Sequence, residues 1–354
     1  MKVLVVPTAA NAVAAYRLTH ALEVLRQTEQ SIDIVEASEI PLVLEPETQK
    51  VIRVGKIDCD AIVLQLPMVL WMPDAIKDLR DRGINVIVEV DDDYEALHPT
   101  HSSYWKARRE LVHYRYLRQC CFEASLVTCS TPALLKVYAP HGRGIVLRNY
   151  VKRELTEIPR VGSGDTIGWA GSTRVHPQDL QVVGDGLRQI IAETKGKFLS
   201  VGGSENARNL LGLQDVPYEL VKWVDFDLYP YLLSRFDVGI VPLADNRFNA
   251  AKSWLKGLEY AAVGAPFVAS DVTEYVALRK HGLGRLALPR TRDWRRELRP
   301  LMDRETRAEV SAEGRRIVRE KLTIEDNAWR WAEAWASVGR RKAALPHVFV
   351  TSLS

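Results

Sequence analysis

Residues 237–270 read DVGIVPLADNRFNAAKSWLKGLEYAAVGAPFVAS, and the fold turns on this stretch. DVGIVPL is a short apolar run without polar alternation, the pattern of a strand buried on both faces. A helix is expected from about Ala250 to Val263. Gly264 and Pro266 stop it before a second apolar run, APFVAS. Strand, helix and strand in that order form the repeating unit of a parallel sheet. Asn249 to Lys252 fall at the expected helix N-terminus, where unpaired N–H groups and the helix dipole suit an anion. Lys252 and Lys256 are spaced i, i+4 and share a face, with Glu259 one turn deeper. Two ammonium groups so placed can converge on a diphosphate, and the carboxylate can accept from ribose hydroxyls. A plain surface helix with a Lys/Glu pair has the same spacing, so the segment alone leaves both readings open.

The same alternation continues outward. Within the second half it is preceded by TIGWA (166–170), a helix at about 177–193, KFLSVGG (197–203), YELVKWV (218–224) and a helix ending near Phe236. The first half holds KVLVVP (2–7), an amphipathic helix over Ala12–Gln27, then IDIVEA (32–37), AIVLQL (61–66), NVIVEV (85–90) and SLVTCS (125–130). Helical segments such as Pro73–Arg82 and Tyr104–Gln119 separate them. VKRELTEIPRVGSGD (151–165) is polar, carries Pro159, Gly162 and Gly164, and reads as a linker. The expectation is an α/β chain of two Rossmann-like doubly wound domains, 1–150 and 166–320, facing a central cleft at the carboxyl ends of both sheets. A helical segment, 321–342, is expected to pack back across the domains, with 343–354 as a tail. In it Thr323 or Asp326 caps, and Trp331 and Trp335 share a face as packing anchors.

Bulk properties narrow the function classes. The chain has 354 residues, 47% apolar and 26% charged, which suits a soluble protein of two domains. No run of 18 apolar residues appears, and MKVLVVPTAANA reads as a first strand because Pro7 and Asn11 cut it short. Cys59, Cys120, Cys121 and Cys129 show no C-x-x-C spacing and read as reduced thiols, so a cytoplasmic location is expected. A net charge of +3 does not by itself imply a nucleic-acid partner. Residues 290–342 carry 15 Lys/Arg against 10 Asp/Glu, a solvated helical surface or a face for an anionic membrane or phosphate-bearing acceptor. The loop after the first strand, PTAANAVAAYR, has no glycine, and no Walker A sequence exists. Both facts weigh against a dehydrogenase and a P-loop enzyme.

The 237–270 segment resembles the donor-binding signature of the large retaining GT-B glycosyltransferases of bacterial and phage type. The match runs through Pro242-Leu243, Lys252, Lys256, Leu258-Glu259-Tyr260-Ala261, Gly264, Pro266, Val268 and Ser270. One position departs: the family's Glu-x7-Glu pattern has Ala251 where its first glutamate stands, while Glu259 matches the second, ribose-binding one. IGWAGSTRVHPQDL (167–180) resembles the first loop of the nucleotide domain, with Gly171, Ser172 and Arg174 toward the donor phosphates. ALEVL after Tyr16 and Arg17, and SLVTCSTPALLKVY followed by VLRNYV, resemble the first helix and the last strands of the N-domain. The resemblance implies a hexosyltransferase using a UDP- or GDP-sugar, with retention, domain closure and no cofactor. Asn249, Lys252, Lys256 and Glu259 would hold the donor, and Lys256 would act on the leaving group. Ala251 keeps a second reading open, a nucleotide-sugar-binding protein without transfer. A GT-B-fold nucleotide-sugar epimerase is a third.

VIVEVDDDYEALHP (86–99) sets Asp91, Asp92 and Asp93 directly after a buried-type strand. Three readings stand side by side: a catalytic or acceptor-facing wall, a Mg²⁺ or Mn²⁺ site, and a helix cap. Tyr16, Arg17 and His98 are the further candidates for the acceptor side, and His101 is weaker. The acceptor itself, whether glycan, lipid carrier, protein or modified DNA, is not specified by any motif.

Overall fold

The computed structural model describes residues 1–8, 11–48, 51–99, 101, 104, 113–173, 177–202 and 206–340. The chain divides into two units: Met1–Leu97, Ser103–Asn149 and Asn327–Ser354 in one, His98–Ser102 and Tyr150–Asp326 in the other.

The first unit is built on β1 (Lys2–Val6), β2 (Asp33–Glu36), β5 (Ala61–Gln65), β6 (Asn85–Val90), β7 (Leu126–Cys129) and β8 (Gly144–Val146). They form one sheet in the order β2-β1-β5-β6-β7-β8, every pairing parallel. β5 and β7 are buried at every position, which is why their sequences lack alternation. Helices over His20–Thr28, Met72–Asp81 and His113–Glu123 bring Leu22 and Leu25, Ile76 and Leu79, and Leu117 into the core. A small antiparallel pair, β3 (Leu42–Leu44) and β4 (Val51–Val54), has no counterpart in the sequence reading. The expected helix over Ala12–Gln27 is present, but its centre, Ala15–Thr19, is a π-helical turn.

The second unit repeats the plan with β9 (Thr166–Ala170), β10 (Lys197–Val201), β11 (Tyr218–Val221), β12 (Val238–Val241), β13 (Phe267–Ser270) and β14 (Arg285–Ala287). Its order is β11-β10-β9-β12-β13-β14, again wholly parallel. The order in which the chain adds strands reverses between β9 and β12, and ligands of such sheets bind outside the carboxyl ends at that point. Ile167, Leu187, Ile190, Phe198, Ile240, Trp294 and Leu298 form its core.

The segment expected to be a linker belongs to this unit. Leu155 and Ile158 are buried, and Asp237 accepts from Gly164 N (2.7 Å) and Thr166 N (3.0 Å). The C-terminal helix Trp329–Arg340 belongs to the first unit, against the helix His20–Thr28 and β6. Trp331 and Trp335 are fully buried there, and Trp331 Nε1 donates to Arg17 O (2.8 Å). Among the described residues no helix is long and apolar enough to cross a membrane.

Candidate functional site

The carboxyl ends of β9 and β12 open into a cavity of about 270 Å³ lined by Trp169, Ser172, Asp179, Lys252, Lys256 and Glu259, among others. The single helix expected over Ala250–Val263 is in fact two. Asn246 is extended, and its side chain caps a four-residue helix, Arg247–Ala250, by accepting Asn249 N–H at 2.9 Å. That helix stops at Ala251, and a second one runs over Leu255–Ala262. Lys252 therefore lies in the connection, and it does not share a helical face with Lys256. Both still line the cavity. Asn249 is buried within the short helix and not at its N-terminus. Its Nδ2 donates to Asp179 Oδ1 (2.6 Å) and Ala244 O (2.9 Å), while its Oδ1 has no partner among the described residues.

Burial governs the charges here. Desolvation and the neighbouring Lys252 push the Lys256 ammonium down to about 8, against the pull of Glu259 and Asp179. Burial raises the Asp179 carboxyl, although Ala244 N and Asn249 donate to it and both lysines favour its charge. Among the described residues no carboxylate lies within ion-pair distance of Lys256. Its Nζ sits 5.4 Å from the centre of the Trp169 ring, and Lys252 Nζ sits 4.3 Å from that of Phe248. Glu259 is buried, with the Tyr229 hydroxyl 3.5 Å from its Oε2. Gly171 carries the turn after β9. A Cβ there would lie 2.8 Å from Lys256 Nζ and 2.8 Å from the Trp169 ring, so a side chain at this turn would crowd both. Ser172 lines the cavity, while Arg174 lies outside the described residues.

The first-unit candidates separate. Arg17, expected to face an acceptor, is 1% exposed. Its Nε donates to Glu89 Oε1 (2.7 Å), and its Nη1 to Leu147 O (2.5 Å) and Asn149 Oδ1 (2.6 Å). The π-helical turn and β6 thus enclose a structural ion pair. Tyr16 is buried too, edge-on to His20. Asp93 is fully buried and accepts Glu95 N–H at 3.2 Å, so it faces its own turn. Asp91 and Asp92 are partly exposed. Burial and then Asp92 raise the Asp91 carboxyl to about 7, and the Tyr94 hydroxyl donates to it at 3.2 Å. Asp93 thus turns inward, away from Asp91 and Asp92 at the surface. Among the described residues no group of three or more His, Cys, Asp or Glu is placed to hold a metal. His98 is not on the first unit at all: its Nε2 accepts from Gln178 (2.9 Å) in the second, where the His101 ring meets Phe248 edge-on.

No family model and no curated protein matches the chain. Solved structures do. HepE from Anabaena in complex with UDP superposes with a TM-score of 0.61 at 14% identity, over 95% of this chain and 100% of that one. A glycosyltransferase from Rickettsia africae gives 0.58 at 10% identity, over 96% and 98%. S. aureus TarM, crystallised with UDP among other ligands, gives 0.54 at 12% identity, over 78% of this chain and 55% of TarM, so the chain spans about half of TarM's length. The fold is GT-B. At such identities the likeness is one of architecture.

Within this GT-B chain, the two lysines, Glu259, Ser172 and Gly171 come together in the second domain, while Arg17, Tyr16 and Asp93 serve packing in the first. The sequence reading missed Asp179, whose carboxylate ties Asn249 and the Ala244 amide to the helix Pro177–Gln181. An aspartate in the first turn of a proline-started helix was the available signal. Trp169, in the strand TIGWA, carries no signal in the sequence that sets it apart from an ordinary strand residue.

Proposed function

We propose that the chain is a glycosyltransferase that binds a nucleotide-sugar in the cavity at the ends of β9 and β12. The observation that carries this reading is a desolvated ammonium, Lys256, held beside Lys252 and above a glycine turn with no carboxylate in ion-pair distance among the described residues. Such a site has unmet demand for an anion, and a diphosphate supplies it. Glu259 would accept from the ribose. Bond breaking between the anomeric carbon and the diphosphate oxygen leaves charge on the leaving group, which Lys252 and Lys256 neutralise. The acceptor hydroxyl oxygen bonds to the anomeric carbon, and its proton leaves with the departing phosphate. UDP-sugars are the first donors to test, since HepE and TarM were crystallised with UDP. Retention and metal independence complete the proposal, on the family resemblance alone.

A second reading rests on Ala251. It is 2% exposed and ends the short helix beside the cavity, where the resembling family carries a glutamate. A chain lacking that carboxylate would bind donor without transferring sugar. The deciding experiment is donor hydrolysis and transfer with UDP-sugars, with and without EDTA, in wild type and Lys256→Ala. Turnover falling by roughly 100- to 1000-fold in the variant supports transfer. Binding with neither hydrolysis nor transfer supports the second reading, and unchanged turnover in Lys256→Ala sinks the first.

A further inference from the structure

The cavity at the ends of β9 and β12 holds a second carboxylate, Asp179, that the donor contacts proposed above leave unused. It belongs to the short helix Pro177–Gln181, and both of its hydrogen bonds fall on one oxygen. Oδ1 accepts from Ala244 N (2.9 Å) and from Asn249 Nδ2 (2.6 Å). Oδ2 has no partner among the described residues, although Asp179 lines the cavity. Two donors on one oxygen fix the plane of a carboxylate and leave the lone pairs of the other for a ligand.

The charges in the cavity follow one another in order. Asn249, bonded to Asp179 through its side chain, accepts Lys252 N–H at 3.2 Å through its carbonyl, which seats Asp179 at the Lys252 end. Lys252 favours the Asp179 charge more than Lys256 does, and Glu259 favours the Lys256 charge more than Asp179 does. The order along the cavity is therefore Glu259, Lys256, Lys252, Asp179. A nucleotide-sugar has the same layout: a hydroxyl-bearing ribose, a diphosphate and a hydroxyl-bearing sugar ring. A carboxylate this close to a diphosphate weakens the hold on the anion, so diphosphate binding alone does not account for Asp179. A hydroxyl donor is what its open oxygen can take.

We infer that Asp179 Oδ2 accepts from a hydroxyl of the transferred sugar and so helps to select the donor by its sugar. The inference rests on the donor site proposed above and extends it beyond the nucleotide. With the lysines on the diphosphate and Glu259 on the ribose, Asp179 falls beside the sugar ring. A sugar whose hydroxyl points elsewhere leaves this oxygen unpaired once water is displaced, and that penalty is the source of selection. The assignment also bears on Ala251. That position carries no carboxylate, but Asp179 supplies one from another element, so the sugar end of the site is not left without it.

The test is calorimetric titration of the full chain with UDP, GDP and ADP, then with the glucose conjugate of whichever binds most tightly. It is run in wild type, Asp179→Asn and Lys256→Ala. Asparagine keeps an oxygen for Ala244 N and Asn249 Nδ2 and puts an amide nitrogen where Oδ2 stood. The expected result in Asp179→Asn is a ratio of conjugate to nucleotide affinity lowered about tenfold or more. The bare nucleotide should bind no more weakly than in wild type, since a negative charge beside the diphosphate is gone. An unchanged ratio overturns the sugar contact and makes Asp179 a strut for residues 244–249. Nucleotide affinity lost in Lys256→Ala would in that case leave the donor site standing. Wild-type chain that binds none of the three nucleotides removes the donor reading and the sugar contact together.

Discussion

Lys256 sits between opposing influences: burial and Lys252 push its ammonium down to about 8, while Glu259 and Asp179 favour its charge. A diphosphate favours the charged form, so UDP affinity should fall as pH rises above 8, by up to about tenfold per unit. Lys256→Arg, which stays charged, should flatten that slope; a slope that survives the substitution would place the titrating group elsewhere. Stability moves the other way. The folded pKa lies below the ordinary 10.5, so between about pH 8 and 10.5 the unfolded chain binds more protons, and this group's contribution to stability rises with pH. Asp91 has the opposite sign. Its folded value of about 7 exceeds the ordinary 3.8, so stability from this group is lost as pH rises from about 4 through 7. Asp91→Asn should therefore be more stable than wild type at pH 8, by on the order of 1–2 kcal/mol in urea unfolding, with the gain fading below pH 4. A loss of turnover alongside that gain would mark Asp91 as a residue kept for function at the expense of stability. Equal stability at pH 8 would mean that Asp91 is better solvated than its surroundings imply.

At the scale of elements, the π-helical turn Ala15–Thr19 turns Arg17 inward onto Glu89, at the end of β6. Removing the guanidinium would strand a buried carboxylate, so Arg17→Met should cost about 3–5 kcal/mol of unfolding free energy. A cost below 1 kcal/mol would show that Glu89 takes up a proton without penalty. The sequence could not foretell this pairing, because its partners lie 72 and 132 residues away and an arginine after tyrosine looks like any exposed helix residue. Strands were easier to read. AIVLQL and NVIVEV are apolar on both faces for one reason only, burial in a parallel sheet, and both appear where expected. The pair β3 and β4 was invisible, since strands of three and four residues carry too little pattern. The donor-side helix shows the subtler failure. Residues 250–263 have helical composition throughout, yet Asn246 starts a shorter helix early and uses up the register before Trp254 begins the next. Lysine spacing then suggested a shared face, and the cavity brings the same two lysines together by a bend.

For the whole molecule, the two units differ in how the chain supplies them. Residues 150–326 carry all six strands of the second sheet, its core cluster and every residue lining the candidate cavity. The first unit is discontinuous: the helix Trp329–Arg340 returns to bury Trp331 and Trp335 against it, and Trp331 Nε1 donates to the Arg17 carbonyl. Those two indoles are large apolar groups whose removal elsewhere costs about 3–5 kcal/mol each, comparable to the net stability of a domain. A fragment of residues 150–326 should therefore unfold cooperatively and bind UDP with an affinity close to that of the full chain. A fragment of residues 1–149 should keep its far-ultraviolet circular dichroism, lose its near-ultraviolet signal and bind ANS, the marks of a sheet without fixed packing. Supplying residues 327–354 through a flexible linker should restore a cooperative transition. If residues 1–149 alone melt cooperatively with a near-ultraviolet spectrum, the C-terminal tryptophans are an accessory and not part of that core. The asymmetry follows from covalent order: residues 150–326 supply the second core by themselves, whereas the first unit takes its last helix from the far end of the chain.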